Sequence, residues 1–254
     1  MKDLNFLNNE RVFSQKCTVE MYNASYFKTI RLAYLFRYLQ EVAGQHSEAM
    51  KVGYDDLKAN NGGWVLVKQL LEIERLPEAL EEFTVYTWSN KHNRAVANRS
   101  FLVTDSAGKM IAKASSDWVV LDFTKRRIIP LNKIDMSSTE SFKYEIFDQD
   151  LTKIELNKGK LVNSFVKKIR FTDIDIMGHM NNTCYVDLVI DSMAEVFSER
   201  HTLKSINTNF IQEVKFNDEI IINSYQSGDN VFHHQILRVN DEIEVFTAET
   251  VWTK

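Results

Sequence analysis

Proline and glycine are scarce, at 2 and 8 among 254 residues. That excludes collagen-like and low-complexity architectures. The two cysteines, Cys17 and Cys184, stand far apart. They make neither a disulfide framework nor a C-x-x-C metal site, and their low number fits a reducing compartment. No apolar run is long enough to span a bilayer. The first thirteen residues hold no unbroken apolar core of signal-peptide length, so the expectation is a soluble cytoplasmic protein. Neither sign of charge dominates: 31 basic and 35 acidic residues leave a net charge of -4. No global basic field draws in nucleic acid. The histidines show no metal-ligand spacing, and His233 and His234, adjacent on a strand, point to opposite faces. No metal and no cofactor are expected.

What is present is ordinary globular material. Hydrophobic residues make up 44% and charged residues 26%, with 16 Phe, 9 Tyr and 4 Trp to build a core. The length suits one large domain or two small ones.

The chain reads as one unit written twice. In the first half, an extended stretch from Lys16 to Met21 precedes a helix from about Ile30 to Met50. Its apolar residues Leu32, Leu35, Phe36, Leu39, Val42 and Ala43 recur at three- and four-residue steps. Strands follow at Trp64–Ile73, Glu82–Ser89, Ala95–Thr104 and Met110–Asp122, the last two joined by a hairpin at Asp105-Ser-Ala-Gly108. The second half repeats the order. Leu161–Arg170 is extended, and Asn182 to about Ser198 is helical, with Tyr185, Leu188, Val189, Val196 and Phe197 on one face. Strands at Ser205–Phe216, Glu219–Gln226, Val231–Val239 and Ile243–Trp252 complete it. The class is α+β, each helix burying its apolar face on an antiparallel sheet. The expected division is residues 1–130, a partly helical connector over 131–160, and residues 161–254.

The chemistry concentrates in Asp173-Ile-Asp175-Ile-Met-Gly178-His179-Met-Asn181-Asn182-Thr-Cys-Tyr185, between a strand and a helix. Asn181 or Asn182 is a good N-cap. Gly178 permits a tight backbone. Asp175 and His179 thus sit near a helix N-terminus, whose free N–H groups can stabilise an oxyanion. A carboxylate and an imidazole beside such donors are parts for acyl transfer or hydrolysis. The plainer reading makes Asp173 and Asp175 turn-formers and Asn181 a cap. An overlay of the halves sets Tyr34 on Tyr185 and Asp117-Trp118 on Val251-Trp252. It sets Ala24 on Asp175, Lys28 on His179 and Ile73 on Glu213, so the polar groups belong to the second half alone. Glu213 is read as a carboxylate at the edge of a core strand, which calls for a partner.

The pattern D-x-D-x-x-G-H-x-N-N-x-x-Y before a helix resembles the hotdog-fold thioesterases. Two tandem units with the motif in the second resemble the fatty acyl-ACP thioesterases of plants and their bacterial relatives. The first half agrees through Leu39-Gln-Glu-Val-Ala43 with His46, Gly63-Trp64-Val-Leu66, Val85-Tyr-Thr-Trp88, Arg99-Ser-Phe101, Ser116-Asp-Trp118-Val119 and Arg126-Arg127. The resemblance implies a double hotdog. It implies an enzyme that hydrolyses fatty acyl thioesters on the phosphopantetheine arm of acyl carrier protein, in fatty acid biosynthesis. The second unit is then catalytic and the first holds the acyl chain. The family's catalytic groups match Asp175, His179 and Glu213, with Gly178, Asn181 and Asn182 as oxyanion or positioning residues. Leu32, Leu35, Leu39 and Trp64 are candidate walls for the acyl chain. Lys125-Arg126-Arg127, or Lys167-Lys168 with Arg170, could meet the acidic carrier or could be solvated turns. One departure stands out: Met177 replaces an Asn that the plant enzymes carry two residues before the His, and a thioether donates no hydrogen bond. An acyl-CoA thioesterase, a non-catalytic acyl-binding protein and a hotdog dehydratase are the alternatives. Monomer and homodimer both fit.

Overall fold

The apolar spacing after Ile30 does form a helix. The computed structural model describes residues 4–59, 61–135, 141–194 and 201–253. Two compact units emerge, Met1–Gln69 with Glu74–Leu151, and Thr152–Lys254 with Leu70–Ile73. The first contains β1 (Phe13–Thr18), α1 (Leu32–Ala49), a short α2 (Tyr54–Lys58), β2 (Gly62–Ile73, up to Gln69), β3 (Glu82–His92), β4 (Ala97–Asp105), β5 (Met110–Asp122) and β6 (Arg127–Ile129). Its strands lie in the order β1-β3-β4-β5-β2, with β6 beside β5. The second contains β7 (Lys160–Lys168), α3 (Asn182–Ala194), β8 (Thr202–Phe210), β9 (Glu219–Gln226), β10 (Val231–Arg238) and β11 (Glu244–Thr253), in the order β8-β11-β10-β9-β7. The ladders β1/β3, β3/β4, β4/β5, β8/β11, β11/β10, β10/β9 and β9/β7 are antiparallel.

In each unit the helix lies on the sheet. α1 packs against β1 and β3. Leu35, Phe36, Leu39 and Val42 are fully enclosed there, each such burial contributing about 1.5–3 kcal/mol. The Tyr38 hydroxyl donates to Thr18 O at 2.8 Å, tying helix to edge strand. α3 packs against β9 and β7. Tyr185 stacks on Phe246 at 5.1 Å, and Asn163 Nδ2 donates to Ser192 O at 2.9 Å.

Several boundaries differ from the sequence reading. α2 and β6 were not expected, because five and three residues are too short to show a period. The stretch Ser205–Phe216 stops being strand at Phe210, where the N–H groups of Ile211 and Gln212 both turn to Val245 O. Glu213 therefore lies in a loop, not in a core strand. The connector has a 3-10 turn at Leu131–Lys133, and Phe142 and Tyr144 pack around Phe6 and Trp88. Residues 136–140, and Val196 and Phe197 of the expected helix face, lie outside the described residues. Lys125-Arg126-Arg127 forms the β5–β6 turn, with Asp122 Oδ1 accepting the N–H groups of Thr124 and Lys125.

The repeat is visible bond by bond. Ser25 N–H donates to Thr29 O, and Asp175 N–H to His179 O. Lys28 N–H donates to Ser25 O, and Gly178 N–H to Asp175 O. Arg31 N–H reaches Asn23 O, and Asn181 N–H reaches Asp173 O. Ile30 N–H reaches Pro77 O, and Met180 N–H reaches Val214 O. The left-handed residue of the turn is Lys28 in one unit (φ 61°) and Gly178 in the other (φ 79°). These pairs correct the sequence overlay. Ser25, not Ala24, stands at the place of Asp175. Thr29, not Lys28, stands at that of His179. Leu76, not Ile73, stands at that of Glu213. Gly178 can follow Lys28 because this turn needs a positive φ, which the overlay could not see. At the C-terminal strands the overlay and the structure agree. Trp118 Nε1 donates to Ser116 Oγ as Trp252 Nε1 donates to Thr250 Oγ1.

Two buried histidines couple the fold to pH. His234 sits between Ser224 Oγ (2.8 Å from Nδ1) and Thr250 Oγ1 (2.9 Å from Nε2), and burial pushes its pKa down to about 3. Burial, then the charge of Arg99, pushes His46 down to about 3. Both folded values lie below the ordinary 6.5. Between those limits the unfolded chain binds more protons, so stability is lost as pH falls from about 6.5 toward about 3. Urea midpoints measured at pH 7, 6, 5 and 4 should fall, each histidine contributing up to about 1.4 kcal/mol per pH unit. A His234→Asn variant should show a shallower decline. A wild-type midpoint flat from pH 7 to 4 would contradict this.

Candidate active site

The turn between Ile174 and Met180 is closed by an isolated antiparallel bridge. Its chain reversal brings positions 175 and 179 together. The Asp175 carboxylate folds back to accept Met177 N–H on Oδ1 at 2.9 Å, and Oδ2 has no hydrogen bond among the described residues. His179 takes a different partner: its Nε2 lies 3.0 Å from Glu213 Oε2. Both side chains of that pair are about a quarter exposed, at 25% and 22%, so water and substrate can reach them. If Nε2–H is donated to Glu213, the neutral imidazole carries its lone pair on Nδ1.

Glu213 is itself held in place. Arg238 Nη1 donates to Glu213 O at 2.9 Å, while the same guanidinium grips Asp241. Lys215 Nζ stands 3.6 Å from Glu213 Oε1. Arg238 and Lys215 escaped the sequence reading. Arg238 lies on β10, and no local pattern marks an arginine that reaches back across the sheet. Asp173 is a structural residue here. Its carboxylate accepts Arg170 N–H at 2.8 Å and Lys167 Nζ at 3.0 Å. Lys168 and Arg170 remain exposed beside the turn.

Asn181 is the cap of α3. Its Oδ1 accepts both Thr183 N–H (2.9 Å) and Thr183 Oγ1–H (2.7 Å). Asn182 is the first helical residue. The Gly178 N–H, expected to face a substrate oxygen, is spent on Asp175 O at 3.0 Å. Met177, Met180, Asn181, Thr183 and Cys184 likewise donate within the protein. From Met177 to Cys184, the N–H groups of His179 and Asn182 are the ones with no protein acceptor among the described residues. Met177 contributes its backbone N–H, and the residue as a whole is 36% exposed. In the first unit the same turn carries Ser25 Oγ and Thr29 Oγ1, 3.3 Å apart. It has the geometry without an acid or a base.

A cavity of about 280 Å³ lies within the first unit, between α1, α2 and the strands β2 to β5. Trp64 lines it, with Nε1 bonded to Val52 O at 2.8 Å. Leu32, Leu35 and Leu39 are buried and are not part of its wall. The helix contributes Gln40, Ala43, Gly44 and Ser47 instead, further along α1. Among the described residues no cluster of His, Cys, Asp and Glu has metal-binding geometry, and no helix is long and apolar enough to cross a membrane.

Removing the cap tests the helix that supports the turn. Asn181→Ala should lower stability by about 1 kcal/mol in urea unfolding. An unchanged midpoint would contradict the capping role.

Comparison with known proteins agrees with this anatomy. Residues 10–135 match the acyl-ACP thioesterase N-terminal domain, and residues 157–254 the acyl-ACP thioesterase C-terminal domain. Palmitoyl-acyl carrier protein thioesterases of Cuphea hookeriana and Arabidopsis thaliana, both chloroplastic, are each 24% identical over 95% of this chain. The chain spans 62% and 64% of their lengths. A solved acyl-ACP thioesterase from Bacteroides thetaiotaomicron superposes with a TM-score of 0.86 at 21% identity, covering 96% of this chain and 98% of that one. A 12:0-ACP thioesterase from Umbellularia californica gives 0.84 at 18% identity, over 96% and 98%. The fold is therefore the α+β double hotdog of those structures. With both of the family's domains matched in order along its length, the chain belongs to the acyl-ACP thioesterase family.

Proposed function

We propose that this protein hydrolyses fatty acyl thioesters carried on acyl carrier protein, releasing free fatty acid and the holo carrier for fatty acid biosynthesis. The observation that carries this reading is the pair formed by His179, on the turn that holds Asp175, and Glu213, from the loop after β8, 3.0 Å apart. Its counterpart in the first unit has only Ser25, Thr29 and Leu76. Membership of the family supports the same reaction, as do the relatives named as acyl-ACP hydrolases.

A thioester needs little help for its leaving group, since a thiolate departs readily. The site must deliver the attacking oxygen and stabilise the oxyanion. In this reading water adds to the thioester carbonyl, the C–S bond breaks, and the thiolate leaves on the pantetheine arm. Asp175, with Oδ2 not hydrogen-bonded among the described residues, acts as base for that water or as the nucleophile itself. His179 Nδ1 takes part in the proton transfer, and Glu213 orients the ring from the other nitrogen. The N–H groups of His179 and Asn182 are the donors available to the carbonyl oxygen. The cavity of the first unit has the size and the apolar lining to take an acyl chain. Lys168 and Arg170 meet the acidic carrier protein. Cys17 and Cys184 are not joined in a disulfide, which suits a cytoplasmic setting. The non-catalytic acyl-binding reading has one observation in its favour, the thioether of Met177 at the turn.

Free-thiol release from a panel of acyl-ACPs, with matching acyl-CoAs alongside, tests the reading. Fast release on the carrier protein substrates is expected. Asp175→Ala should lower kcat by about 10²–10⁴-fold with an unchanged circular dichroism spectrum. Glu213→Gln should lower kcat by about 10–100-fold and leave KM nearly unchanged, as a positioning residue does. Silence of the folded wild-type protein on both carriers would favour the acyl-binding reading, and a near-wild-type Asp175→Ala would remove that residue from the chemistry.

A further inference from the structure

The loop that carries Glu213 is built twice in this chain. In the second unit Lys215 N–H donates to Asp218 Oδ2 at 2.8 Å, and Asp218 N–H returns to Lys215 O at 3.1 Å. In the first unit Glu78 N–H donates to Glu81 Oε2 at 2.8 Å, and Glu81 N–H returns to Glu78 O at 3.0 Å. The third residue of each turn is left-handed, Asn217 at φ 69° and Leu80 at φ 68°. The same two bonds tie each turn to the chain beside it. Ile169 N–H donates to Asp218 O and Asn217 N–H to Ile169 O, as Val19 N–H donates to Glu81 O and Leu80 N–H to Val19 O. Lys215 and Glu78 therefore hold equivalent places. The backbone accepts either sign of charge there, so the turn itself does not call for a lysine.

What differs is the residue two places earlier, Glu213 in the second unit and Leu76 in the first. Glu213 divides its carboxylate. Oε2 faces His179 Nε2 at 3.0 Å, and Oε1 faces Lys215 Nζ at 3.6 Å. The charged groups around them have other commitments. Arg238, from β10, meets the Glu213 carbonyl and gives Nε and Nη2 to Asp241. Asp218 accepts Lys215 N–H, and Asp175 accepts Met177 N–H. Tyr185 of α3 stays protonated, since burial raises its pKa. Lys215 Nζ faces the carboxylate itself. A carboxylate beside an imidazole favours the imidazolium, which has no lone pair left to accept a proton. A cation on the other carboxylate oxygen opposes that. The Lys215 side chain is 63% exposed, so the pair adds little to folding and acts through charge.

We propose that Lys215 is a positioning residue for the thioester reaction. It holds Glu213 Oε1 so that Oε2 stays on His179, and its charge opposes protonation of the ring that must accept a proton. This rests on the reading above, in which His179 takes part in the proton transfer.

The test compares wild type, Lys215→Met and Lys215→Arg at low salt. Two quantities are followed from pH 5 to 9: kcat/KM on an acyl-ACP, and the NMR titration of the His179 ring, assigned by its loss in His179→Ala. Lys215→Met should move the acid limb of the rate profile and the midpoint of the ring titration to higher pH by about 0.3–0.5 unit. That is about a two- to threefold rate loss on the acid limb, fading at high pH. Lys215→Arg should restore both, and the urea midpoint of Lys215→Met should match wild type. The ring titration needs no turnover, so its failure and failure of the hydrolase reading are separate results. Identical ring titrations in wild type and Lys215→Met would overturn the proposal. So would a moved titration with an unmoved rate profile, or a rate loss equal at every pH that Lys215→Arg does not restore.

Discussion

Two backbone hydrogen bonds, Asp175 N–H to His179 O and Asn181 N–H to Asp173 O, hold the site together. They close the turn, and closure sets where the side chains at 175 and 179 emerge. A residue with positive φ must sit at the third position after Asp175, and Gly178 meets that need without strain. The second bond delivers Asn181 to the start of α3, where its side chain caps the helix. Turn, cap and helix are thus one device. The carboxylate and imidazole are carried on backbone already committed to structure.

The first unit keeps the device and drops the chemistry. Its turn has the same bonds, the same handedness and the same approach to a neighbouring loop through Ile30 N–H and Pro77 O. Ser25 and Thr29 hydrogen-bond to each other there, and neither is a base at neutral pH. The buried polar groups also differ. In the second unit His234 is enclosed by Ser192, Ser224 and Thr250 hydroxyls, with every ring nitrogen satisfied. In the first unit His46 faces a cation beside an open cavity. One architecture carries a turn with a carboxylate and an imidazole in one unit and borders a ligand-sized space in the other.

Much of this was legible in the sequence, because the period of the helices and the length of the strands are local properties. α1 and the first turns of α3 could be read from apolar spacing alone, and the D-x-D-x-x-G-H-x-N-N pattern marked the turn. The errors are of another kind. The overlay slipped by one residue at Ala24 because identity between halves is weak and turn handedness is invisible in letters. Phe210, Ile211 and Val214 look continuous and suggest a strand through Glu213, whereas the ladder ends when two successive N–H groups share Val245 O. Arg238 supports Glu213 from another strand, and no spacing rule reports a contact made across a sheet. The resemblance offers Gly178 as an oxyanion or positioning residue, and the turn itself consumes its N–H.

The central claim is that equivalent positions in two equivalent turns have unequal roles. Thiol release from an acyl-ACP, measured for His179→Ala and Thr29→Ala side by side, tests it most directly. The account predicts a loss of about 10²–10⁴-fold for His179→Ala and a rate near wild type for Thr29→Ala. Similar losses in both variants, or a greater loss in Thr29→Ala, would contradict it.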